Sequence, residues 1–124
     1  MSVPILKQGD VLIASIQSAL SDQDLVQLRD DFAEKIGRLR TRGVVIDVTA
    51  LDVLDSFATR TLRGIAYIAK LRGAQTVVVG IQPEVAFAMV QLGLSLDGIA
   101  TALDLEEGLA HLGDTANGSA GDGG

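Results

Sequence analysis

Asp47, Asp52, Asp55 and Ser56 place three carboxylates and a hydroxyl within ten residues. Three chemistries suit such a set. The carboxylates can hold Mg²⁺ around a phospho-accepting aspartate. The hydroxyl can act as a nucleophile where a base stands beside it. Or the hydroxyl can itself be the substrate, modified by an outside kinase. The bland alternative is local: Asp and Ser at a helix entrance are ordinary caps, contributing about 0.5–2 kcal/mol.

The partners that the first two chemistries need are missing. A receiver domain has an acidic pair after its first strand and a lysine after its last. Here the corresponding strand ends in Ser15-Ile16-Gln17-Ser18, and no lysine follows Lys70. There is no cysteine, and the one histidine, His111, falls near the expected end of the terminal helix, where it would assist the helix C-terminus. No Gly-x-x-x-x-Gly-Lys-Ser/Thr or Gly-x-Gly-x-x-Gly motif is present, so nucleotide binding has no sequence behind it. The expectation is a protein that is not an enzyme, without metal or cofactor.

Composition narrows the partners. Of the 124 residues 48% are hydrophobic but only 3% aromatic, which gives an aliphatic core and no platform for stacking bases. The net charge is −6, and all ten Lys and Arg lie in residues 1–72. An acidic chain argues against nucleic acid. The Arg38-Leu39-Arg40-Thr41-Arg42 run reads as cations at a helix C-terminus. No signal peptide and no apolar run of membrane-spanning length is visible, so a soluble, cytoplasmic protein is expected, with no membrane partner.

The surrounding elements must then position Ser56. Ile5-Leu6-Lys7 and Val11–Ile16 form a leading hairpin about Gly9-Asp10. Ser21 caps a helix whose stripe of Leu25, Leu28, Phe32, Ile36 and Leu39 stops near Gly43. The apolar run from Gly43 is a buried strand. A second helix runs from Ser56 to Arg72, Thr76–Ile81 is a strand, and Pro83 opens a third helix with an apolar face of Val85, Ala86, Met89 and Leu92. Ile99–Leu103 is a short last strand, and Asp104 with Glu107 starts a terminal helix to Leu112. Gly43, Gly73 and Gly93 each end a helix. The order β-β-α-β-α-β-α-β-α predicts an α/β fold with a mostly parallel sheet, a leading antiparallel hairpin and about four helices. The domain is 1–112, followed by a disordered polar tail, 113–124.

On a helical wheel, Phe57, Ala58, Thr61, Leu62, Ile65, Ile68 and Ala69 share one face of the second helix. Ser56, Thr59, Arg60, Arg63, Tyr67 and Lys70 share the other. Asp55 can cap, which leaves Ser56 free and turned outward. A phosphate there adds about −1.5 to −2 charges. Attraction by Arg60 and the helix start opposes repulsion by Asp52 and Asp55. Each unit pair at about 6 Å is worth up to roughly 3 kcal/mol at a dielectric of 20. The fold should therefore be little disturbed, and the larger effect should fall on a partner packed over this loop.

These residues resemble a known family. The element order, together with Pro4-Ile5-Leu6-Lys7, Ala14-Ser15-Ile16-Gln17, Gly43–Thr49, Leu54-Asp55-Ser56-Phe57, Gly80–Ala86 and Thr101–Leu109, is similar to the STAS domain of anti-sigma-factor antagonists. Within it the likeness is to the RsbS-like scaffolds of the bacterial stressosome. The resemblance implies co-assembly, as a homodimer within a large complex, with RsbR-type STAS paralogues. It implies capture of an RsbT-type serine/threonine switch kinase, released when that kinase phosphorylates the scaffold. Ser56 matches the phosphoserine position, with Thr59 a second candidate, and Asp47, Asp52, Asp55, Ser56, Arg60 and Arg63 would form the partner-binding surface. Where stand-alone antagonists of the family continue with a Gly-Leu-Gly-like stretch, this chain has Phe57-Ala58-Thr59-Arg60, which favours the stressosome branch. A sensory paralogue needs an N-terminal domain, for which this chain is expected to have no room. The alternative is a stand-alone antagonist that binds an anti-sigma kinase one to one.

Overall fold

The computed structural model describes residues 3–121, with side chains through residue 113. Its elements follow in the order β1 (Ile5–Gln8), β2 (Val11–Ser15), α1 (Asp22–Arg38), β3 (Gly43–Asp47), α2 (Ser56–Leu71), β4 (Gln75–Val79), α3 (Pro83–Gln91), β5 (Ala100–Ala102) and α4 (Leu105–Gly121). Gly9, at φ 64°, opens the two-residue turn of the hairpin, a position that favours glycine. β1 and β2 pair antiparallel, and β2, β3, β4 and β5 pair in parallel.

The five strands lie across the sheet in chain order. Crossovers of one hand that all step the same way leave their helices on one face. The core divides accordingly. Leu12, Ala14, Val44, Ile46 and Val78 pack with Leu28 and Phe32 of α1, Leu62 and Ile65 of α2, and Val85 and Met89 of α3. On the other face Val11, Ile13, Val45, Val77 and Val79 pack with Leu112 of α4. Two glycines let α4 down onto the sheet: a Cβ at Gly108 would come within 2.7 Å of Val79, and one at Gly43 within 2.5 Å of Leu112.

Several boundaries differ from the sequence reading. α1 ends at Arg38, so of the expected C-terminal cations only Arg38 sits in its last turn, joined there by Lys35. Gly43 does not end a helix. It is the first residue of β3, small because Leu112 lies over it. Gly73 and Gly93 do follow helices, at φ 83° and 69°. On α3 Val85 and Met89 are buried whereas Ala86 and Leu92 are exposed, because this short helix touches the core along a narrow stripe. α4 continues past the expected end at Leu112 to Gly121, overlapping the stretch expected to be a disordered tail; residues 122–124 lie outside the described residues. A helix already nucleated by packed turns adds residues at little cost. His111 consequently sits inside that helix rather than at its end. Among the described residues, no helix is long and apolar enough to cross a membrane, and no group of His, Cys, Asp or Glu could hold a metal ion.

Candidate functional site

Parallel strands deliver their following loops to one end of the molecule, and the loop after β3 occupies its centre. The chain leaves β3 at Asp47, whose carboxylate accepts hydrogen bonds from the Thr49 amide (2.9 Å) and the Thr49 hydroxyl (2.6 Å). Val48 N–H bonds to Val79 O (3.0 Å), and Leu51 N–H closes a turn onto Val48 O (3.0 Å). The loop is strapped from the far side by Gln82, whose amide donates to Thr49 O at 2.7 Å. Gly80, at φ 81°, permits this approach, since a Cβ there would stand 1.9 Å from the Thr49 hydroxyl. Leu51 and Leu54 then plug the loop into the core.

Asp55 is the N-cap of α2. Its carboxylate accepts from Ala58 N–H at 2.8 Å, and its carbonyl accepts from Thr59 N–H at 2.9 Å. Ser56 follows as the first helical residue, exposed, and its side chain makes no hydrogen bond among the described residues. The hydroxyl thus stands at the positive end of a sixteen-residue helix without a capping duty.

The other expected residues divide. Asp52 and Asp55 are exposed, and Asp47 is half-buried with its carboxylate committed to Thr49. Arg60 is exposed on the turn after Ser56, its guanidinium 5.8 Å from the centre of the Phe57 ring. Arg63 is half-buried one turn further on. Thr59 does not belong on the outer face: it is 1% exposed, and its hydroxyl donates to Asp55 O at 2.8 Å. A threonine that returns its hydroxyl to the carbonyl four residues earlier can be buried like an apolar side chain. The second phosphorylation candidate is therefore covered.

Thr49, Gly80 and Gln82 were not among the expected site residues. The Asp-x-Thr spacing carries a local signal for the first. The strap does not, because Gln82 and Thr49 are 33 residues apart. Beneath the loop a hollow of about 90 Å³ is lined by Ile16, Leu25, Leu51, Leu54, Ala58 and Leu62. It is too small for an ordinary ligand, whose pockets run to about 300–1,000 Å³. Nor does the sheet offer the crevice that doubly wound folds use, which opens where the strand order reverses; here it never does. What this end presents is a surface.

Comparison with known proteins identifies the family and its fold. The family model described as STAS domain matches residues 2–108. The chain belongs to the STAS family. Among solved structures this STAS domain is similar to a serine-to-glutamate variant of RsbS from Moorella thermoacetica. The two are 40% identical with a TM-score of 0.81, over 93% of this chain and 97% of that one. It is also similar to a chain of the stressosome, at 42% identity and a TM-score of 0.77, over 91% and 98% of the respective chains. A curated relative, the RsbT co-antagonist protein RsbRA of Bacillus subtilis, is 22% identical over 110 residues, 88% of this chain and 40% of its own length. The STAS domain thus spans about two fifths of that relative.

Proposed function

We propose that this STAS domain is a non-enzymatic scaffold of a stressosome-type signalling complex. In this reading it assembles as a homodimer with RsbR-type paralogues, holds an RsbT-type serine/threonine kinase over the loop of Asp47, Asp52, Asp55 and Ser56, with Arg60 and Arg63 beside it, and releases that kinase when Ser56 is phosphorylated. The likeness to RsbS over nearly the whole of both chains supports the scaffold. The observation that carries the switch is the division of labour at the start of α2, where Asp55 caps and leaves the exposed Ser56 hydroxyl unengaged.

The physics of release follows from that position. A phosphate on the first residue of α2 meets the unpaired amides of the first turn, which favour an anion by about 0.3–1 kcal/mol. Asp55 next to it and Asp52 nearby oppose this, so the domain itself gains or loses little. A partner packed over Ser56 must instead cover a dianion with its hydration shell. Each 1.4 kcal/mol lost there weakens binding tenfold.

Intact-mass measurement after incubation with the RsbT-type kinase and ATP tests the site. The wild-type chain should gain one phosphate and Ser56→Ala none; a phosphate that persists on Ser56→Ala would move the site elsewhere. Size exclusion with an RsbR-type paralogue tests the scaffold. A high-mass species is expected, and a species of small-dimer size alone would favour the one-to-one antagonist.

A further inference from the structure

The parallel topology has an electrostatic by-product. Every helix begins at the end of the molecule that carries Ser56. Acidic residues suit helix starts and basic residues helix ends. Asp22 and Asp24 open α1, Asp55 caps α2, Glu84 opens α3, and Glu106 and Glu107 open α4. At the opposite end, Lys35 and Arg38 close α1, while Lys70 and Arg72 close α2. Arg40 and Arg42 lie there as well, in the connection from α1 to β3. The local preferences of separate helices therefore add into one acidic and one basic pole.

Helix ends do not absorb the basic pole. The two helix C-termini among these cations, those of α1 and α2, supply about −1 in total. Of the six cations, Arg38 is paired with Glu34 (3.1 Å) and Arg42 with Asp10 (3.0 Å). Lys35, Arg40, Lys70 and Arg72 make no ion pair among the described residues. Arg40 and Arg72 are exposed and share with Arg38 the lining of one open hollow, floored by Gly37, Leu39 and Thr41. Three arginines, from α1, the connection after it and the end of α2, thus line one open surface hollow.

We infer that this basic hollow is a docking surface for the acidic, Ser56-bearing pole of a second copy of the chain. Charge complementarity selects the occupant: the chain carries the matching surface at its own other end. The contact is heterologous, head to tail, so it leaves the same two poles free at the ends of each pair and can extend beyond two copies. A phosphate on Ser56 would add negative charge to the docked pole, so the same modification that expels a partner from the loop would strengthen this contact. The docking itself rests on the poles alone and needs neither kinase nor phosphate.

Sedimentation velocity of the purified chain tests it at about 10 mM and about 1 M ionic strength, where screening lengths are about 30 Å and 3 Å. Wild type should show a rise in weight-average mass at low salt that high salt removes. Arg40→Glu/Arg72→Glu should weaken that salt-dependent step at least about tenfold, as should Asp52→Lys/Glu84→Lys at the other pole. All four side chains are exposed, and circular dichroism verifies the fold. Mixing the two double variants pairs the reversed hollow of one with the reversed acidic pole of the other and should restore association. No salt-dependent step in wild type, unaltered association in either variant, or failure of the mixture to recover would each overturn the proposal.

Discussion

At the scale of single residues, Asp55 and Thr59 together decide what Ser56 can be. Asp55 takes the cap, and Thr59 turns its hydroxyl back to the Asp55 carbonyl and disappears beneath the helix. If the proposed switch holds, Thr59→Val should leave phosphorylation by an RsbT-type kinase intact in an intact-mass assay; loss of the phosphate with the fold retained would point to Thr59. Asp55→Ala removes the bond to Ala58 N–H and should lower stability by about 0.5–2 kcal/mol in urea unfolding. Ser56→Ala should change it far less, having no bond to lose. The exposure of Ser56 was legible from the wheel and the burial of Thr59 was not. A wheel places a side chain by angle alone, whereas the environment of Thr59 is set by the acceptor its hydroxyl finds in the Asp55 carbonyl.

At the scale of elements, the strands and the helix starts were plain in the sequence because apolar runs and caps are local signals. Ser21 accepts from Asp24 N–H at 3.0 Å as a capping residue should. Asp104 likewise accepts from Glu107 N–H at 2.9 Å, though the Glu107 carboxylate reaches Leu103 N–H rather than the cap's own amide. Helix ends were less legible. The stretch after Arg38 has no cue that separates a fraying helix from a loop, and Gly43 is glycine for a reason that lies 69 residues away at Leu112. The strap between Gln82 and Thr49 is hidden for the same cause: a tertiary contact leaves no periodicity. It has a measurable weight. Gly80→Ala imposes a positive φ and a clash with the Thr49 hydroxyl, and should cost more than about 1 kcal/mol. Thr49→Ala in the same chain should recover part of that loss by removing the clash, while the strain of φ 81° remains. Equal stability of the single and double variants would show that Thr49 has no share in it.

For the whole molecule, one helix guards one face. Leu112 is 2% exposed, and among the described residues α4 is the one helix packed on the second core cluster, whereas the first is shared by three helices. Leu112→Ala should cost about 2–5 kcal/mol, and dye binding to exposed apolar surface should rise before the far-ultraviolet signal falls. The aliphatic composition predicted a packed core, and the alternation of elements predicted the sheet. The unequal division of its two faces follows from strand order, which a single sequence does not print. That order has a consequence for how the chain comes into being. Since β1 to β5 lie side by side as they are translated, each strand leaving the ribosome finds its neighbour already in place, and the sheet can grow one strand at a time. The exception is the cover. Until α4 emerges, the growing sheet carries the bare valines of β3 and β4 on one side, so the nascent domain is most exposed to sticking in the interval before that helix is made.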